Sequence, residues 1–237
     1  MRALSLFLLV LSWAWSLSAQ AEALLLGAAA GYKKPVEALA QHYTASEGRE
    51  LRRFYGNIGQ IITQSERDGR VDVLIADATF LDQAPFALPQ RVDLGVGRLV
   101  LAWAKGVNLK QVKDVQTLER VALPDARQAI YGRAAEAFIR YESLVFGVPP
   151  KVFSTVPQIS AYLRSGEIDA GFINLTEALA LGESIGGYLE LPVSSYAPIR
   201  IQAAVPAQTD AAQAEVDAFL LFLQSPPAQK ILKDYGL

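Results

Sequence analysis

LLLGAAAGYKKPVEALAQHY, residues 24–43, decides the fold. Leu24 to Leu26 form an apolar run that ends in the small residues Gly27-Ala28-Ala29-Ala30-Gly31. Val36, Leu39, Ala40 and Tyr43 then recur at helical spacing. Pro35 falls in the first helical turn, where a missing N–H costs nothing, and Gly48 ends the helix. The stretch therefore reads as a buried strand, a tight loop and a helix start.

The same unit recurs outward along the chain. Leu51 to Tyr55 resumes a strand and Asn57 to Gln64 begins a helix. Val71 to Ala76 (VDVLIA) and Leu99 to Ala104 (LVLAWA) read as buried strands. Arg120–Leu123, Ala134–Val145, Ile159–Arg164 and Ala170–Asn174 continue the alternation. Ile199 to Val205 is a strand and Ala211 to Gln224 a helix, broken by Pro226-Pro227 before a last short helix over 228–235. Strands alternating with helices give an α/β fold with mainly parallel sheets.

Composition narrows the chemistry. The chain has 237 residues, 22 Lys+Arg against 24 Asp+Glu, one His and no Cys. A near-neutral balance argues against a nucleic-acid partner, which needs a basic face. Without Cys there are no disulfides, thiolate metal sites or cysteine nucleophiles. One imidazole excludes any site needing two, so no metal and no cofactor is expected.

Met1-Arg2 is a short basic start, Ala3 to Leu17 an apolar run, and Ala19-Gln20-Ala21 a small-x-small cleavage pattern. The run is short for a membrane span, which needs about 20 apolar residues. Residues 1–21 read as a cleaved signal peptide that takes Trp13 and Trp15 with it, leaving an exported chain that begins at Glu22. An exported chain without disulfides, large enough to bury its own core, points to a bacterial periplasm.

Three places put a strand, a tight loop and a helix start together: Gly31-Tyr32, Asn57 to Gln60, and Thr155 to Gln158. The last two have the spacing of a capping box. Each start offers unpaired N–H groups and about half a positive charge. Several aimed into one crevice make an anion site without a formal charge.

At these loops the sequence resembles the periplasmic molybdate-binding protein family, solute receptors of ABC importers. LLGAAAGY (25–32) is similar to its strand ending in Ala-Ala-Ala-Ser-Leu, and YGNIGQI (55–61) to its Phe-Gly-Ala-Ser-Gly-Thr-Leu. VDVLIAD (71–77) resembles its strand ending in Ser-Ala-Asp. AIYGRAA (129–135) is close to its Ala-Pro-Tyr-Gly-Arg-Ala-Ala, and SGEIDAGFIN (165–174) to its Ser-Gly-x-Ala-Asp-Ala-Gly-Phe-Val-Tyr. The C-terminal PPAQKILKDYG also resembles the family's ending. The resemblance implies two α/β lobes joined by two hinge crossovers, with lobe one at 22–101 plus 202–237 and lobe two at 102–201. It implies a small anionic ligand between the lobes, a transient contact with an ABC permease in the inner membrane, a monomer and no catalysis.

The site side chains depart from the family. Gly31 and Ile58 stand where the family has Ser, Asn174 where it has Tyr, and Ile130 where it has Pro. Tyr131-Gly132-Arg133 is kept, and Val156 matches a position that contributes its backbone N–H. The candidate ligand set is Gly31, Tyr32, Asn57, Ile58, Ile130, Tyr131, Val156 and Asn174. Asn57 and Asn174 bring amide donors, and Tyr32 and Tyr55 phenols. Gly31 and the short Asn174 are expected to leave room, and a Ser at 31 to restore a ligand hydroxyl. Lys33, Lys34, one of Arg52 and Arg53, and Arg133 are charges that an anion would use. His42 reads as surface, Asp72 and Asp77 as turn or cap residues, and Trp103 as core. The expected ligand is a molybdate- or tungstate-like oxyanion. A larger organic or phosphorylated anion, and a ligand-sensing role, are the alternatives.

Overall fold

The computed structural model describes residues 23–237. The expected signal peptide and its cleavage after Ala21 lie outside the described residues. The first half of the chain forms β1 (Leu24–Ala29), α1 (Lys33–Glu47), β2 (Leu51–Gly56), α2 (Ile58–Asp68), β3 (Val73–Asp77), the single-turn α3 (Ala78–Leu81), β4 (Gln90–Gly97) and β5 (Leu99–Trp103). The second half forms β6 (Val121–Pro124), α4 (Ile130–Tyr141), β7 (Lys151–Phe153), α5 (Val156–Ser165), β8 (Ala170–Asn174) and α6 (Leu175–Leu181). It closes with β9 (Gly187–Glu190), β10 (Ile199–Val205), α7 (Gln213–Leu223) and α8 (Pro226–Asp234).

The strands make two five-stranded sheets, ordered β2-β1-β3-β10-β4 and β7-β6-β8-β5-β9. In each sheet four strands share a direction and one opposes them: β10 in the first sheet, β5 in the second. Both opposing strands enter by crossing from the other lobe. The chain changes sheet between Gly97 and Leu99, and again between Glu190 and Ile199. The boundaries expected at 101/102 and 201/202 thus fall inside β5 and β10. β3, β5 and β8 are buried at every position, as strands covered on both faces must be.

Local chemistry explains the ends. Asn57 caps α2 by accepting from Gly59 N at 2.9 Å, and Asp77 caps α3 by accepting from Thr79 N at 2.8 Å. Gly48 closes α1 in the left-handed conformation. Pro226 and Pro227 start α8 rather than merely ending α7, because the first turn needs no N–H. α4 begins at Ile130, four residues before its expected start, so Tyr131 sits in its first turn.

The two crossings are pinned to each other. Leu99 N donates to the Tyr196 hydroxyl at 3.0 Å, Leu191 N to Leu99 O at 3.1 Å, and Arg98 pairs with Glu190 at 3.0 Å. One buried apolar cluster runs through both lobes, including Trp103, and a smaller one gathers Ile58, Ile61, Leu74 and Phe80 under α2. Among the described residues no helix is long and apolar enough to cross a membrane.

Candidate functional site

Between the lobes lies a cavity of about 40 Å³. Lobe one lines it with the end of β1 and its following turn (Ala29–Tyr32), the start of α2 (Asn57, Ile58), Asp77 and Phe80. Lobe two lines it with Gln128 to Tyr131 at the start of α4 and with Ser154 to Val156 at the start of α5. The first-turn N–H groups of α2, α4 and α5 have no intrahelical acceptors, and each start carries partial positive charge. Most of the rest of the wall is apolar: Ala29, Ala30, Ile58, Phe80, Ile130 and Val156.

Seven of the eight candidate residues meet here: Gly31, Tyr32, Asn57, Ile58, Ile130, Tyr131 and Val156. Asn174 does not line the cavity. It is fully buried at the end of β8, and its Nδ2 donates to Gly31 O at 3.0 Å, across the lobes. Its Oδ1 is buried without a partner. The room expected at Gly31 is filled by this amide, since a Cβ on Gly31 would lie 3.3 Å from Asn174 Nδ2.

The other polar side chains are also spent between the lobes. Asn57 Nδ2 donates to Gln128 Oε1 at 2.8 Å, and Gln128 in turn donates to Asp125 at 2.9 Å. The Tyr32 hydroxyl donates to the Tyr131 hydroxyl at 2.9 Å. Burial pushes both phenols above their ordinary range, so they stay neutral. The Tyr131 hydroxyl lies against Gly97, where any Cβ would overlap it at 2.1 Å. Glycine at the end of β4 is what admits this phenol next to the crossing.

The expected cationic residues are turned elsewhere. Lys33 sits over the Tyr55 ring at 5.6 Å, and Lys34 reaches Glu177 of the other lobe at 3.7 Å. Arg53 pairs with Glu37 at 3.1 Å, and Tyr55 also donates to Glu37, at 2.6 Å. Arg52 Nε donates to Ala23 O at 3.1 Å. Arg133 lies over the Phe80 ring at 4.5 Å and donates to Ala126 O at 3.0 Å. None of these lines the cavity. The helix-start positions of Lys33 and Lys34 instead serve an aromatic contact and a bridge between lobes. His42 is exposed and stacked on Phe222, and Asp72 accepts from Leu25 N at 2.8 Å.

Sequence reasoning missed Asp77, Phe80 and Gln128 as cavity residues. Asp77 is 2% exposed; its Oδ1 holds the α3 cap, whereas its Oδ2 is buried with no hydrogen-bond partner. Burial raises its carboxyl above the ordinary value, more than the bonds from Thr79 and the Phe80 backbone N–H and the Arg133 charge lower it. No group of three or more His, Cys, Asp or Glu among the described residues is placed to hold a metal ion.

Two lobes closing on a small cavity ringed by helix starts define a receptor for a small solute. Residues 24–237 match the bacterial extracellular solute-binding protein family, and the chain belongs to it. It is 28% identical to the molybdate-binding protein ModA of Rhodobacter capsulatus, over 93% of this chain and 90% of that one. The periplasmic molybdate-binding protein of Azotobacter vinelandii superposes with a TM-score of 0.80 at 25% identity, over 90% of this chain and 97% of that one. Peb3 from Campylobacter jejuni shares the fold at a TM-score of 0.70 and 16% identity, over 90% and 98% of the two chains. The family resemblance read from the loops is borne out.

Proposed function

We propose that the chain is the periplasmic solute-binding component of an ABC importer, and that it carries a molybdate- or tungstate-like oxyanion between its lobes. The observation that carries this reading is the cavity of about 40 Å³ faced by the starts of α2, α4 and α5. A few water-sized volumes of that kind suit one compact ion, and convergent backbone N–H groups suit its negative charge. The two relatives named for molybdate support the choice of ion.

In this reading the ion is held by backbone N–H groups at Ile58, Tyr131 and Val156 and at the turn around Gly31. Tyr32, Asn57, Ile130 and Asn174 shape and shut the site around them. Lobe closure presents the loaded form to a membrane permease, which the protein meets transiently as a monomer. The chain performs no catalysis. Export rests on the 1–21 leader, and mass measurement on a periplasmic extract should give Glu22 as the first residue.

A thermal-shift screen with molybdate, tungstate, sulfate, phosphate and citrate, followed by calorimetry, tests the ligand. At 100 times its dissociation constant a ligand stabilises by about 2.7 kcal/mol. Molybdate or tungstate should stabilise and citrate should not. Stabilisation by none of the five would sink the oxyanion reading.

A further inference from the structure

We propose that Asp77 and the bound oxyanion share one proton, so that a fully deprotonated dianion is captured together with a proton from solvent. This rests on the reading that an oxyanion occupies the cavity between the lobes. Asp77 lines that cavity and is 2% exposed. Oδ1 is committed to Thr79 N, and Oδ2, on a residue that lines the cavity, is buried without a hydrogen-bond partner. Such an orphan needs an explanation, and a donor belonging to the ligand is the simplest one.

An ionised carboxylate can only accept. Against a dianion that offers only acceptors, Oδ2 would bring two like charges together with no hydrogen between them. One proton resolves the conflict. It moves from solvent to Asp77 Oδ2, which then donates O–H to an oxygen of the ion, while Oδ1 keeps its cap. No bond in the anion breaks, and the complex gains one positive charge relative to its separate parts.

The surroundings leave Asp77 as the group that titrates. The Arg133 charge of α4 acts on it, and Tyr32 and Tyr131 face it as neutral phenols. On β10, paired beside it, the ionisable residue is Arg200, which is exposed. α3 carries none, and Asp82 at its end is exposed and paired with Arg91. His42 lies exposed on α1, stacked on Phe222. Burial already biases the Asp77 carboxyl toward its neutral form.

The test is calorimetry with molybdate between pH 6 and 9, in pairs of buffers with different ionisation heats. The expected result is uptake of one proton per ion. The dissociation constant should rise about tenfold per pH unit above the pH at which free Asp77 ionises. Asp77→Asn keeps a capping oxygen and supplies an amide donor without a proton. It should bind with a flat pH profile and more tightly than the parent at pH 9. Equal heats in both buffers with a flat parental profile would overturn the proposal. So would an unchanged slope in the Asn variant, which would trace the proton to another group such as His42. Failure of molybdate and tungstate to bind either protein at any pH would instead remove the oxyanion reading, and this inference with it.

Discussion

Replacing Tyr32 by Phe isolates the bond that ties the rim of one lobe to the other. The two hydroxyls are 2.9 Å apart and their rings are 2% and 3% exposed. Tyr32 is the donor, so Tyr32→Phe leaves the buried Tyr131 oxygen without it. A neutral hydrogen bond is worth about 0.5–1.5 kcal/mol net, and a buried group left unsatisfied costs about 1–3 kcal/mol. The second figure applies here, and because the bond spans the lobes the loss should fall on closure. The dissociation constant for molybdate should therefore rise about 5- to 150-fold. The melting temperature of the ligand-free protein should change little if the lobes part without ligand and both phenols are then hydrated. Tyr32→Phe with Tyr131→Phe should recover much of the loss, because no orphan oxygen remains. Calorimetry on the two single variants and the double gives the cycle. If all three bind like the parent, or the double variant equals the sum of the singles, the inter-lobe bond does not govern closure and the reasoning fails.

Asn174→Ala deletes the donor to Gly31 O at 3.0 Å and should weaken molybdate binding by about 1–3 kcal/mol, read by calorimetry; Gly31→Ser, which crowds the same amide, should weaken rather than improve it. Gly97→Ala places a methyl group on the Tyr131 hydroxyl and should cost about 1–3 kcal/mol of stability in urea unfolding, in line with other overpacked sites. The guanidinium of Arg127, with its hydrogen bonds, holds the Asp125 carboxyl at about 2. Its folded value is depressed, so its contribution is present above the ordinary carboxylate value and is lost as pH falls toward 2. Asp125→Asn should thus flatten the acid limb of stability between about pH 4 and 2, followed by thermal unfolding across that range.

The elements that carry the site were legible because each is a local pattern. Leu24–Tyr43 shows the strand, loop and helix within 20 residues, and Asn57 and Thr155 mark the starts of α2 and α5. β7 and β9 escaped because they are short edge strands of the second sheet, partly exposed and without an apolar run. β4, also at an edge, carries Val92, Leu94 and Val96 in alternation, but Gly95 and Gly97 interrupt its signal. The cavity's position could be read from the loops, whereas the partners of its polar side chains could not. Tyr32 and Tyr131 are 99 residues apart in sequence, Asn57 and Gln128 71, and Gly31 and Asn174 143. No spacing rule reaches that far, so each amide and phenol looked like a ligand donor when considered alone. In the fold they find one another. That distinction alters what the substitutions relative to the family mean. Gly31 and Asn174, both of which depart from the family resemblance, meet at one contact between the lobes, where a Cβ on Gly31 would crowd the Asn174 amide at 3.3 Å. Backbone N–H groups at the helix starts do not depend on those side chains. On the proposed reading, variation at 31 and 174 should therefore tune how readily the lobes shut, while the helix starts and Asp77 would set the charge and size of the solute.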